Sequence, residues 1–328
     1  MEGFIIEVEV HTTRLPEAAE KQLLLLIEQA KDYSKNAKSA NTLKSYRKDW
    51  EHFTNWCETF SLNSLPANED TFALYLSALA IDGYKASTIQ RRMSAISVAH
   101  SVAGFESPTT SKVKVVWAGI KRSIGTAEKG KLPIVIDTLK AILQTLPQSL
   151  SGTRDRALLL IGFAGALRRS ELVSLDVNDI NITNEGLILN LRSSKTDQEG
   201  QGTPIGIPYG EFESSCPVRS YIAWLKASGI EYGPVFRPIN RHGQLSDKRL
   251  SDRAVALIVK RWISEVGMNE SDYSGHSLRS GLATSAAMLG KSERSIMEQT
   301  RHTSTTMVRR YIRMGSLFNE NAAKNIGL

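Results

Sequence analysis

The sequence predicts a mainly α protein: an all-helical N-terminal domain followed by an α+β domain holding a small antiparallel β-hairpin or sheet. Three observations carry this. Apolar residues recur at three- and four-residue spacing through the first third of the chain, as one face of a helix requires. A polar, glycine-containing stretch from Gly125 to Pro133 (GTAEKGKLP) has little to bury and separates that third from the remainder. Beyond it, two runs with β-branched residues flank a polar, glycine-rich turn, which is the pattern of a hairpin. A chain of 328 residues suffices for about two domains, each with its own core.

Taken in order, residues 1–15 form an N-terminal arm and 16–124 the helical domain. Residues 125–133 form the linker, 134–314 the second domain and 315–328 a partly apolar C-terminal segment. The first helix covers 16–33, with Pro16 in a permitted first-turn position. From Thr42, Leu43, Tyr46, Trp50, Phe53 and Cys57 line one helical face. A third helix through Phe72, Tyr75, Leu76 and Leu79 ends before the turn signal Asp82-Gly83. A fourth starts at Ser87, whose hydroxyl caps while Gln90 reaches back. It buries Ile89, Met93 and Ile96 and leaves Arg91 and Arg92 elsewhere on its surface. The fifth, 111–122, sets Lys112, Lys114, Lys121 and Arg122 around Val115, Val116 and Trp117.

In the second domain the pattern gives helices at 137–147 and 153–167. The strands fall at 186–192 and 203–208. Further helices follow at 217–228, 250–266 and 277–289, and one more runs from 292 to 311.

Composition narrows the function classes. Hydrophobic residues at 41% and charged residues at 23% describe an ordinary globular chain. The longest apolar run, Ala157 to Leu167, falls short of the roughly 18–20 residues that span a bilayer, so no membrane partner is expected. The opening residues carry Glu2, Glu7 and Glu9 without a basic n-region, which argues against a secretory signal. Cys57 and Cys216 lie far apart with no CxxC partner, so neither a disulfide framework nor a zinc site is expected and a reducing cytoplasm fits. A net charge of +7 is compatible with a polyanionic partner. No nucleotide-binding G-x-x-x-x-G-K-[ST], no H-E-x-x-H and no carboxylate cluster is present, so no metal or other cofactor is expected.

The chemistry-bearing residues lie in the second domain. Arg168 and Glu171 stand in GALRRSEL, Lys195 in RSSKTDQEGQG, His276 and Arg279 in GHSLRSG, His302 in TRHTSTT, and Tyr311 in RRYIR. A phosphodiester repels nucleophiles and has a poor leaving group. Breaking it calls for cationic donors on the non-bridging oxygens, a nucleophile, and an acid for the leaving oxygen. Guanidinium groups suit the first task, since a planar fork binds two phosphate oxygens at once. Arg168 should emerge near a buried helix junction, with Glu171 on the same helix face to orient it, whereas Arg169 points elsewhere. His276 and Arg279, one turn apart at a helix start, face one site. Tyr311 offers a phenol flanked by arginines, a poor setting for a buried aromatic and one that favours the phenolate.

Arg, Lys, His, Arg, His, Tyr in this order resembles the catalytic set of the tyrosine recombinases, the phage-integrase family, over roughly residues 36–314. The family pattern L-R-x-x-E-L falls on Leu167, Arg168, Glu171 and Leu172. One departure is Arg301, where relatives usually place glycine before the histidine. The resemblance implies a helical core-binding domain and a catalytic domain forming a C-shaped clamp around duplex DNA. It implies attack by Tyr311 to give a 3′-phosphotyrosyl bond and a free 5′-hydroxyl, with Lys195 as the hairpin lysine that protonates the departing oxygen. His276 either accepts the nucleophile's proton or holds a phosphate oxygen. The resemblance further implies a homotetramer on two DNA sites, with the segment after Gly315 docking onto a neighbouring subunit, in the cytoplasm and on the nucleoid when bound to DNA. Lys44, Arg47, Lys48, Lys85, Arg91, Arg92, Lys121 and Arg122 are then the candidate DNA contacts, through phosphates rather than base edges. Two other functions stay open at this point: a type IB topoisomerase, and a DNA-binding protein that keeps the fold without the chemistry.

Overall fold

The computed structural model describes residues 17–36, 38–127, 130–191, 204–302 and 304–316. The N-terminal arm, most of the hairpin turn with Lys195, and the tail beyond residue 316 lie outside them. The chain divides into two compact units, Met1–Lys129 and Gly130–Leu328.

Unit one consists of α1 (Glu17–Asn36), α2 (Ala40–Thr59), α3 (Glu69–Ile81), α4 (Ala86–Val102) and α5 (Ser111–Ile124). Ser39 caps α2 by accepting from the Thr42 N–H, and Asn68 caps α3 by accepting from Thr71, each satisfying an otherwise orphaned donor. The core is built from the faces that the spacing predicts: Trp50, Phe53 and Cys57 of α2 meet Phe72, Tyr75, Leu76 and Leu79 of α3 and Ile89, Met93 and Ile96 of α4. Two details differ. Helix α4 begins at Ala86 behind Lys85, two residues after the left-handed Gly83, so Ser87 lies inside the first turn and is not the cap. On α5 the buried face is Val113, Trp117 and Ile120, while Val115 is exposed.

Arg92 corrects an expectation. It is buried, with 7% of its surface exposed, and its guanidinium meets Asp49, Tyr75, His52 and the face of the Tyr84 ring. Asp49 is itself buried, and burial raises its carboxyl pKa despite Arg91 and Arg92. Arg92 is thus a core charge holding α2, α3 and α4 together. Arg92→Ala is expected to cost about 3 kcal/mol by leaving Asp49 buried and undercompensated. Urea unfolding of the full chain measures this, and a loss below about 1 kcal/mol would contradict the core role.

Unit two contains α6 (Ile136–Thr145), α7 (Leu150–Ala164), α8 (Arg169–Ser174), α9 (Pro217–Ser228), α10 (Asp252–Glu265), α11 (Ser277–Met288), α12 (Glu293–Thr300) and α13 (Thr305–Ser316). A three-stranded antiparallel sheet runs β1 (Ile180–Ile182), β2 (Gly186–Asn190) and β3 (Pro204–Pro208), in that order. Leu187 pairs with Ile207 and Leu189 with Ile205, so β2 and β3 turn the same apolar face to the core. The expected hairpin is present; β1 is an additional strand. Helix α7, buried along Ala157 to Phe163, packs against α9 and α11 and forms the centre of the unit. It ends at Ala164 rather than 167, because Gly165 caps it and Ala166 takes a positive φ of 45°. The single helix expected over 292–311 is two helices, broken at Arg301. Helix α11 is pressed onto the segment at Ile134: a Cβ at Gly281 would stand 1.9 Å from the Ile134 carbonyl oxygen.

Candidate active site

The site is assembled from four local structures. The turn after α7 delivers Arg168, which has extended backbone (φ −69°, ψ 151°) and precedes α8 rather than lying on it. Glu171, the third residue of α8, reaches back: its Oε2 accepts from the Arg168 backbone N–H (2.9 Å) and its Oε1 from the Arg168 guanidinium. A glutamate at this position of a helix start normally caps the backbone, and here it also holds the Arg168 side chain. The expected pairing is therefore present, by a different route from a shared helix face. Arg169 lies apart, more exposed and facing Asp252.

The start of α11 delivers His276 and Arg279, one turn apart. Arg279 is 1% exposed; its Nη1 donates to the Ala166 carbonyl (2.7 Å), and its Nη2 is buried with no hydrogen-bond partner among the described residues. Burial, then the neighbouring Arg168 and Arg301, lowers its pKa to about 10, which still leaves it charged near neutrality. A buried donor without a protein partner costs about 1–3 kcal/mol, so the Nη2 group remains available to a further acceptor.

Helix α13 delivers Tyr311. Its hydroxyl lies 3.1 Å from His276 Nε2, and its ring is 5.9 Å from that of His302. Tyr311 is only 8% exposed and rests against Ala283, Ala287, Ile296 and Val308. The flanking arginines do not place it in solvent: Arg309, Arg310 and Arg313 leave α13 on its exposed side. Burial raises the phenol's pKa, with Arg279 and Arg310 pulling the other way, so the expected preference for phenolate is outweighed. A phenol with a raised pKa needs a base to release its proton.

Two histidines are available, both held neutral. Desolvation, then Arg279, Arg168 and Arg169, lowers the pKa of His276, although the residue as a whole is exposed. Burial, then Arg279, Arg168, His276 and Arg301, lowers His302 to about 4. The Thr300 hydroxyl donates to the Ile296 carbonyl (2.6 Å), so its oxygen accepts from His302 Nδ1 (2.7 Å). That fixes the His302 tautomer with Nε2 as the free lone pair. Glu171, by contrast, is held ionised. Burial alone would raise its pKa, but the Arg168 amide and the guanidiniums of Arg301 and Arg168 hold it below the ordinary value.

Of the residues singled out from the sequence, Arg168, Glu171, His276, Arg279, His302 and Tyr311 converge in this pocket. Lys195 lies outside the described residues. In unit one, Lys44, Arg47, Lys48, Lys85, Arg91, Lys121 and Arg122 are exposed, with Arg91 paired to Asp49 (2.9 Å) and Lys121 over Trp117. Sequence reasoning missed that Arg301 turns into the pocket: its Nη2 donates to Glu171 Oε2 (2.8 Å) and to the Ala166 carbonyl (3.2 Å). Only its departure from glycine before His302 marked the position.

Fold and site together define a mainly helical protein with an arginine-rich cluster in which a helix-borne tyrosine meets a neutral histidine. Residues 135–316 match the Phage integrase family, and residues 30–103 match the phage integrase N-terminal SAM-like domain. The chain is 43% identical over 298 residues to an integrase/recombinase xerD homolog of Selenomonas ruminantium, covering 89% of this chain and 87% of that one. It is 24% identical to the recombinase cre of Escherichia phage P1, covering 79% of each. The fold resembles that of XerH site-specific recombinase bound to a palindromic difH substrate, with TM-score 0.60, 18% identity, and 78% and 71% of the two chains covered. It also resembles a lambda integrase dimer bound to a COC′ core site, with TM-score 0.58, 18% identity, and 90% and 94% covered. The chain belongs to the phage integrase family, the tyrosine recombinases. Among the described residues no helix is long and apolar enough to cross a membrane.

Proposed function

We propose that this recombinase breaks and rejoins DNA strands at a specific site through a 3′-phosphotyrosyl intermediate formed on Tyr311. The observation that carries the reading is the 3.1 Å approach of the Tyr311 hydroxyl to neutral His276, beside a buried Arg279 whose Nη2 has no hydrogen-bond partner among the described residues. In the cleavage step the Tyr311 oxygen bonds to phosphorus and the bond from phosphorus to the 5′ oxygen breaks. The phenol proton passes to His276 Nε2, and Lys195 protonates the departing oxygen. Arg168 and Arg279 bind the non-bridging oxygens and supply the positive charge that the pentavalent transition state needs, so no metal is required. A phosphate arriving beside His302 favours protonation of its free Nε2, which then donates to the same oxyanion. Attack by a partner strand's 5′-hydroxyl reverses the step and regenerates Tyr311. Bond energy stays in the ester throughout, so no nucleotide is consumed.

On this reading residues 16–124 are the core-binding domain, 125–133 the linker and 134–314 the catalytic domain, closing as a clamp on duplex DNA. The exposed cations of unit one contact phosphates. Four copies act on two sites in the cytoplasm, on the nucleoid, with residues 315–328 docking onto a neighbour. The relatives' names and the DNA in solved complexes of the family support DNA as the partner in this reading.

The test is incubation of the purified chain, in EDTA, with labelled nicked duplexes from the DNA flanking its own gene. The expected product is an SDS-resistant adduct on the 3′ end together with a fragment bearing a 5′-hydroxyl. Attachment to the 5′ end, or retarded DNA without adduct, would contradict the reading. The same assay carries a pH prediction. At subsaturating DNA the profile reports the free enzyme, in which His276 has a lowered pKa and is therefore neutral, and competent as a base, to lower pH than an ordinary histidine. The acid limb should lie below about pH 6.5, the value for an unperturbed histidine. A limb centred at or above that value would remove His276 as the base.

A further inference from the structure

Arg301 occupies a position whose backbone conformation (φ 53°, ψ 43°) is left-handed, the usual place for glycine at a helix end. An arginine there pays for an unfavourable backbone, and its side chain does not extend into solvent: it is 8% exposed and turned inward. Its Nη1 donates to the carbonyls of Gly165 (3.0 Å) and Gln299 (3.2 Å), and its Nη2 to the Ala166 carbonyl and to Glu171 Oε2. The two acceptors at 165 and 166 belong to the turn that delivers Arg168. Glu171 is the carboxylate that holds Arg168, and the Ala166 carbonyl is also the one that holds Arg279. One guanidinium thus ties the segment carrying His302 to the partners of both candidate phosphate-binding arginines.

Resting on the reading of the preceding subsection, we infer that Arg301 is a positioning residue for phosphoryl transfer. It locks Glu171 and the 165–168 turn to the end of α12, so that Arg168 and Arg279 meet the scissile phosphate already oriented. It acts through Glu171 and the Ala166 carbonyl: its Nη1 and Nη2 donors are committed to protein acceptors, while its Nε is buried with no hydrogen-bond partner among the described residues. A glycine there would satisfy the backbone and lose the lock. The chain departs from glycine at a conformational cost because the side chain rigidifies the pocket.

Arg301→Gly isolates the effect, since glycine suits the backbone and the fold should be kept. With the nicked duplex on which the wild-type chain forms its adduct, the single-turnover rate at saturating DNA is expected to fall about tenfold or more. The half-saturating DNA concentration should stay within about twofold, because the loss falls on the transition state. Arg301→Lys, which offers one donor group in place of a fork, should recover part of the rate. Adding Arg301→Gly to Glu171→Gln should slow the reaction by no more than about twofold beyond Glu171→Gln alone, because the two act as a unit. Wild-type rates in Arg301→Gly would overturn the inference. So would equal losses in rate and affinity accompanied by a lowered melting temperature, or effects of the two substitutions that multiply. A wild-type chain that forms no adduct overturns the reading on which the inference stands, and the inference with it.

Discussion

Replacing Tyr311 by phenylalanine is expected to lower covalent attachment to DNA by at least about 10⁴-fold, the scale of losses when a nucleophile is removed. The substitution deletes one oxygen. The ring would keep its place against Ala283, Ala287, Ile296 and Val308, and the lost hydrogen bond to His276 is worth about 1 kcal/mol. DNA retardation and melting temperature should therefore stay close to wild type while the SDS-resistant adduct disappears. That combination separates loss of chemistry from loss of structure. An adduct surviving in Tyr311→Phe at more than a trace would mean that another side chain attacks.

Arg279→Ala should have the second-largest effect, lowering the cleavage rate by about 10²–10³, as for removal of a preorganised donor at a developing oxyanion. Arg279 is fully enclosed, so its charge acts with little water to screen it. Alanine would also leave a cavity and remove one of the two guanidiniums on the Ala166 carbonyl, so a lowered melting temperature is expected too. Arg279→Lys distinguishes the two losses. A lysine refills most of the volume and keeps the charge, but it cannot present a fork to two oxygens. It should recover much of the stability and little of the rate. Recovery of both would reduce Arg279 to a structural cation. Single-turnover cleavage and thermal unfolding, measured side by side, decide this.

How much of this was readable beforehand depended on whether a residue's neighbours were local. The buried face of α2 was legible because Trp50, Phe53 and Cys57 follow one another at helical spacing, and no partner was needed to see it. The β2–β3 hairpin was legible from its flanking apolar runs, whereas β1, a three-residue strand among polar residues, carried no pattern of its own. Arg92 was misread because arginine on a helix ordinarily signals surface. Its burial rests on Asp49, His52, Tyr75 and Tyr84, which arrive from other parts of the bundle.

The candidate pocket shows the same division. Which residues meet was visible in their order along the chain, while how they meet was not. The Glu171 carboxylate grips the Arg168 backbone as well as its side chain, because a helix begins between them. Tyr311 is buried although arginines flank it, since successive helix residues point about 100° apart and those arginines leave on the other side. The inward turn of Arg301 depends on a left-handed backbone at a residue that is not glycine, which local sequence preference disfavours.

Bonding of Tyr311 itself to DNA is read out by digesting the trapped adduct with nuclease and trypsin and sequencing the modified peptide by mass spectrometry. Trypsin cuts after Arg310 and Arg313, so a 3′-linked nucleotide is expected on the short peptide Tyr311-Ile312-Arg313. A nucleotide on any other peptide, or one joined through its 5′ phosphate, would contradict this expectation.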